Sequence, residues 1–123
     1  MGVVERESKP LPSRKIYEAT ASPAFSSTPR STLAADVQEA LNAIDNGKPR
    51  PNVRSPKPFA NDARGGSSQL PTHDASGNPI TYTEHTVNPR PPGGKLDSKR
   101  IITGDDGSQW FSGDHFSSFE RIE

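Results

Sequence analysis

Between residues 32 and 46 the apolar side chains fall on a single helical stripe. Leu33, Val37, Leu41 and Ile44 stand at i, i+4, i+8 and i+11, the recurrence of one face of an α-helix. Ala34, Ala35, Ala40 and Ala43 add the strongest helix-forming residue around them. Ser31 or Thr32 offers a capping side chain at the start, and Asn46-Gly47 supplies a stop. A short amphipathic helix is marginal by itself in water. The stripe therefore needs a sheet to cover.

After Phe59 the pattern changes from helical to alternating. Ile80 to Val87 reads as a strand with Ile80, Tyr82, Glu84 and Thr86 on one face. Asn88 to Ser98 is a Pro/Gly-rich loop, and Arg100 to Thr103 is a second strand. Gly104-Asp105-Asp106-Gly107 carries the Asp-Gly signal of a tight hairpin turn, answered by Gln109 to Phe111. Gly113-Asp114 turns the chain again, and His115 to Ile122 closes the sheet. The expected fold is α+β: an N-terminal helix packed on an antiparallel sheet of about four or five strands.

Composition limits how much of the chain can join that core. Only 28% of the 123 residues are hydrophobic, and 13 are proline. Pro10, Pro12, Pro23 and Pro29 lie among Ser, Thr and charged residues. Residues 1–31 are read as a Pro/Ser-rich linker or arm and residues 32–123 as the folded domain. Pro49, Pro51, Pro56 and Pro58 make residues 48–58 an extended connector, because proline fixes φ and donates no hydrogen bond. Net charge is zero, yet residues 1–58 hold nine Lys/Arg against six Asp/Glu and residues 59–123 hold six against nine. There is no broad basic field, so a nucleic-acid activity must rest on a few placed cations. The lack of cysteine excludes disulfides, thiolate metal sites and thiol nucleophiles. No apolar run approaches the ~20 residues of a membrane helix, and Met1 to Glu7 hold no signal-peptide-like stretch.

Three residues carry candidate chemistry. Glu84 lies mid-strand on a face with apolar neighbours. From position alone it is either a cross-strand partner for a cation or a carboxylate lining a cleft. Arg100 opens the next strand; taken alone it is an ion-pair partner for Glu84, and the alternative is a phosphate clamp made by its planar fork. His115, after the turn residue Asp114, is a surface residue or an acid that titrates near neutral pH. His73, Asp74, His85, Asp114 and His115 are conceivable metal ligands, but their spacings match no compact motif such as H-E-x-x-H, so no metal is expected. No G-x-S-x-G elbow supports a hydrolase triad.

Together these residues form spaced motifs: Tyr82-Thr83-Glu84-His85-Thr86-Val87-Asn88-Pro89, then Arg100-Ile101-Ile102-Thr103-Gly104-Asp105-Asp106-Gly107-Ser108, then Asp114-His115-Phe116-Ser117-Ser118-Phe119. In that order they resemble the microbial guanyl-specific ribonucleases of the barnase type, and especially the ribonuclease domains at the C-termini of bacterial polymorphic toxins. Phe59-Ala60-Asn61-Asp62-Ala63-Arg64-Gly65-Gly66, followed by Leu70-Pro71, is similar to that family's guanine-loop region. The helix ending Leu41 to Gly47 sits where the family's core helix would. The resemblance covers about residues 32–123 and implies the microbial ribonuclease fold.

The resemblance implies that Glu84 is the general base, Arg100 the phosphate-binding arginine and His115 the general acid. It places Lys95, Asn61, Arg64, Phe116 and Tyr82 among the substrate-binding residues, with Phe116 where the family has an aromatic near the bound base. The family's second arginine, four residues before the equivalent of Arg100, is Leu96 here. Lys95 beside it is the candidate substitute, as a point charge without a planar fork.

The implied reaction needs no metal or cofactor, because RNA carries its own nucleophile in the 2′-OH. A base takes the 2′ proton, an acid protonates the leaving 5′ oxygen, and cations hold the charged phosphorane. The implied substrate is single-stranded RNA, cut with a guanyl preference through a 2′,3′-cyclic phosphate. The implied setting is the toxic effector domain of a larger secreted protein, a monomer secreted or delivered into a target cell's cytoplasm. A cognate immunity protein with an acidic surface would hold it in check. A stand-alone secreted ribonuclease is a second setting. The alternative of another class is a non-catalytic RNA- or protein-binding module that retains the fold, which Leu96 favours.

Overall fold

The computed structural model describes residues 25–123. Residues 1–24, most of the Pro/Ser-rich arm, lie outside the described residues. The elements are β1 (Ser26–Thr28), α1 (Ala35–Asp45), β2 (Lys57–Phe59), β3 (Tyr82–Thr86), β4 (Arg100–Gly104), β5 (Gln109–Ser112) and β6 (Glu120–Ile122). Single 3₁₀ turns lie at Arg30–Thr32 and Arg64–Gly66. Among the described residues the fold is α+β, one helix on one sheet of order β1-β6-β5-β4-β3-β2. Neighbouring strands are antiparallel except β1 and β6, which run parallel with Ser26 opposite Glu120. The six strands exceed the expected number, and the sheet is mixed. β1 and β2 are three-residue edges, too short to show an alternating pattern. Pro58 is tolerated in β2 because an edge strand leaves one side without ladder bonds.

Helix α1 begins later than its stripe suggests. Ser31 and Thr32 belong to the 3₁₀ turn, where Thr32 Oγ1 donates to the Pro29 carbonyl at 2.8 Å. The N-cap is Ala34, with no side-chain cap. Asp36 instead lies in the first turn, where a carboxylate suits the helix dipole, and it receives Lys99 Nζ at 2.6 Å. The C-terminus ends at Asn46-Gly47. Gly47 N donates to Ile44 O at 3.0 Å and Lys48 N to Ala43 O at 2.9 Å. This Schellman closure requires a left-handed residue, and Gly47 has φ of 65°.

The last strand is shorter than the expected run from His115 to Ile122. His115 and Phe116 have φ of 57° and 77°. These left-handed angles are incompatible with a strand, so residues 113–119 loop out before β6 forms.

The two faces of the sheet carry separate cores. Leu33, Val37, Ala40 and Leu41 pack on Val87, Ile101 and Ile122 on the helix face. On the opposite face Leu70, Tyr82, Ile102, Trp110, Phe116 and Phe119 pack together under the long loops, joined by Phe25, Phe59 and Ile80. Among the described residues no helix is long and apolar enough to cross a membrane.

Candidate active site

Alternation along β3 turns Tyr82, Glu84 and Thr86 to the loop-covered face and leaves His85 toward α1. Glu84 is 8% exposed, and its Oε2 lies 3.5 Å from Arg100 Nε. Arg100 is 4% exposed. Its NH1 donates to the carbonyls of Asp97 at 2.6 Å and Lys99 at 2.7 Å, and lies 3.8 Å from Asp97 Oδ1. The guanidinium is thus fixed by local backbone and aimed at Glu84. Its Nε is buried without a hydrogen-bond partner; at 3.5 Å the contact with Glu84 is Coulombic.

His115 reaches the site from the β5–β6 loop. Two consecutive left-handed non-glycine residues store on the order of 1–3 kcal/mol each, so the loop needs strong anchors. Ser112 Oγ donates to Asp114 Oδ1 at 2.9 Å and accepts Phe116 N at 2.9 Å. The Asp114 carboxylate accepts Ser118 Oγ at 2.6 Å and Ser118 N at 3.0 Å. The Ser118 bonds, foremost its hydroxyl, hold the Asp114 carboxyl below the ordinary carboxylate range. His115 N donates to Ser98 O at 3.2 Å, and Ser98 Oγ to Gly113 O at 2.8 Å. These bonds tie the loop to the segment that leads into Arg100.

Glu84, His115 and Phe116 line one cavity of ≈ 430 Å³ with Lys57, Phe59 and the 60–67 loop. That volume lies in the range of small-ligand sites. Arg100 sits behind its wall, against Glu84. Sequence reasoning missed Lys57. Strand register places Lys57 directly opposite Glu84, so their Cβ atoms stand about 4.5–5.5 Å apart on one face. Among the described residues Lys57 makes no ion pair. The available signal was the alternation of Lys57 with Phe59 just ahead of the loop motif, hidden by the surrounding prolines.

The loop from Asn61 to Leu70 is clamped by Asn61 itself. Its Nδ2 donates to Leu70 O at 3.0 Å and its Oδ1 accepts Leu70 N at 2.7 Å. Asn61 lines the cavity, but its amide builds the loop. Arg64 also lines the cavity, exposed and ion-paired to Asp62 at 2.6 Å. Phe116 packs 5.0 Å from Phe59 and 6.1 Å from Phe119, ring to ring. Ser68 N donates to Phe116 O at 2.9 Å, joining the two loops.

One expected substrate contact, Tyr82, is corrected, and Lys95 takes a place apart from the cavity of Glu84 and His115. Tyr82 is a core residue, 2% exposed, whose hydroxyl donates to Pro71 O at 2.6 Å. Burial pushes its phenol far above the ordinary value. It anchors the chain beyond the loop and leaves the cavity to others. Lys95 lies apart, in a second cavity with Arg54, Arg90 and Leu96. The lysine that lines the cavity of Glu84 and His115 is Lys57. Among the described residues no three of His, Cys, Asp and Glu converge as metal ligands.

A search of curated proteins finds no significant match. Among solved structures, ribonuclease Sa2 with guanosine-2′-cyclophosphate is similar at 27% identity and TM-score 0.57, covering 80% of this chain and 97% of that one. Ribonuclease Sa2 complexed with mononucleotides is similar at 28% identity and TM-score 0.59, covering 82% and 96%. The ribonuclease family profile matches residues 17–123. With that match spanning most of its length, this chain belongs to the ribonuclease family, of the microbial guanyl-specific type, and is an endoribonuclease.

Proposed function

We propose that this endoribonuclease cuts single-stranded RNA by acid–base transphosphorylation without a metal, leaving a 2′,3′-cyclic phosphate. The observation that carries the reading is that Glu84 and His115, 31 positions apart on different elements, line one cavity. The Glu84 carboxylate takes the 2′ proton, and the 2′ oxygen attacks phosphorus. The P–O5′ bond breaks as the protonated His115 imidazole gives its proton to the 5′ oxygen. Arg100 holds the Glu84 carboxylate in place and extends positive charge toward the phosphate. Lys57 offers a mobile ammonium to the same charge. Proton transfer of this kind contributes typically ~10²–10⁴-fold, and fixed cations at the phosphorane add to it.

A guanyl preference is part of the proposal. Its support is the Asn61-clamped loop on the cavity wall, with Phe116 opposite as a ring surface for a base. The similar ribonuclease Sa2 has been solved with guanosine-2′-cyclophosphate. The proposed setting is a toxic effector within a larger secreted protein, acting in a target cell's cytoplasm and restrained by an acidic immunity protein. Exposed Lys57 and Arg64 at the cavity are the cations such a partner would cover.

RNA incubated with the chain in excess chelator should yield ends carrying 2′,3′-cyclic phosphate, read by mass spectrometry. Products with plain 3′-hydroxyl ends, or cleavage abolished by the chelator, would refute the mechanism. Induced expression should arrest a bacterial host, and the Glu84→Ala/His115→Ala double variant should not.

A further inference from the structure

The cavity that holds Lys95 is lined by Arg54, Arg90, Lys95 and Leu96 and measures ≈ 440 Å³. Three of its four lining side chains are cations and none is acidic, although the chain carries 15 acidic residues against 15 basic. Composition alone does not produce such a wall, and gathering like charges without partners costs free energy. Arg54, Arg90 and Lys95 are all exposed. Among the described residues none of the three makes an ion pair. The nearest carboxylate in sequence, Asp97, is engaged elsewhere: Asn88 Nδ2 donates to it at 2.9 Å and Arg100 NH1 lies 3.8 Å away. Arg90 Nε donates to Gly94 O at 2.9 Å, which fixes the loop and leaves the terminal nitrogens of its fork for a ligand.

The position of this cleft gives the charge a use. Arg54 precedes Lys57 by three residues, at most about 11 Å of extended chain. Lys57 lines the cavity of Glu84 and His115. Residues 54–57 thus link one lining residue of each cavity by a short stretch of chain, a span that neighbouring phosphates on one strand can cover.

We infer that Arg54, Arg90 and Lys95 form a second phosphate-binding subsite, which takes the RNA backbone beyond the linkage being cut. This rests on the ribonuclease reading of the first cavity and adds to it a preference for polymeric over dinucleotide substrate. Each phosphate neutralised on a single strand contributes ~0.7 to the slope of log affinity against log salt.

The test compares a dinucleoside monophosphate, which has one phosphate, with an oligonucleotide carrying a single cleavable ribonucleotide flanked on both sides. The Arg54→Ala/Lys95→Ala variant should lower the oligomer-to-dinucleotide ratio of kcat/KM about tenfold, mainly through KM. It should also flatten the salt dependence on the oligomer by about 0.7, the share of the one phosphate the subsite neutralises. An unchanged ratio and slope would overturn the inference while cleavage of the dinucleotide still supports the ribonuclease reading. If the wild type cuts neither substrate, that reading fails. Binding of an all-deoxy oligomer to wild type and variant, followed by fluorescence anisotropy, then decides the subsite separately: equal affinity refutes it.

Discussion

Arg100 Nε stands 3.5 Å from Glu84 Oε2, and the two side chains are 5% and 10% exposed. A carboxylate in that place is held by a cation that two backbone carbonyls have already oriented. Breaking such a buried pair leaves one charge uncompensated, at a cost of ~3–5 kcal/mol. Arg100→Met should therefore lower unfolding stability by about that amount in urea titrations, and adding Glu84→Gln should restore most of it. Equal stability of the wild type and the single variant would show that the pair does not hold the site together.

Glu84→Gln and His115→Ala should each reduce kcat by ~10² or more, the scale of a general base or acid. Wild-type kcat in either variant would remove that residue from the proton-transfer steps.

Lys57 is exposed and directly opposite Glu84. Lys57→Ala should lower kcat/KM by about 10²-fold, the lower end of the loss of one group that stabilises developing charge, with little change in melting temperature. Lys57→Arg should recover most of the rate. Full activity of the alanine variant would place Lys57 outside the reaction.

Ser112 holds His115 indirectly, through Asp114 and the Phe116 amide. Ser112→Ala orphans that buried amide, at about 1–3 kcal/mol. It should also lower kcat more than it raises KM, because the strained loop no longer presents His115. A stability loss with unchanged kcat would limit Ser112 to the fold.

His85 faces away from the cavity, toward α1, with Nε2 2.9 Å from Thr103 Oγ1. Burial pulls its pKa below the ordinary value. The unfolded chain thus binds a proton first as pH falls below ~6.5. Stability should decline from there to the folded-state value and then level off. Asp36, held low by Asn88 and Lys99, and Asp114, held low by Ser118, open a second window. Their contribution is present above the unfolded carboxylate value of ~3.9 and is lost as pH falls through the folded one. Chemical denaturation between pH 8 and pH 3 should show both declines, and His85→Gln should remove the first. A first decline that survives in His85→Gln would assign it to another group.

Local patterns were enough where a short-range rule decides the outcome. The stripe from Leu33 to Ile44 and the stop at Asn46-Gly47 gave the helix, since i, i+4 spacing and a left-handed glycine act within one or two turns. Alternation gave β3 and the Asp-Gly turn gave the β4–β5 hairpin. Spaced motifs pointed to Glu84, Arg100 and His115. Tertiary structure alone decided what depends on register and burial. The pairing of Lys57 with Glu84 comes from an edge strand too short to carry a period. The burial of Tyr82 comes from a loop folded over it. The loop at His115 replaces an expected strand because Ser112 and Asp114 stabilise backbone angles that strand propensity disfavours. The placement of Lys95 in its own cationic cleft depends on where residues 54 and 90 are carried. Neighbours in sequence interact through the few bonds between them, and a linear pattern records that. Neighbours in space are set by the whole chain's packing, which no local pattern contains.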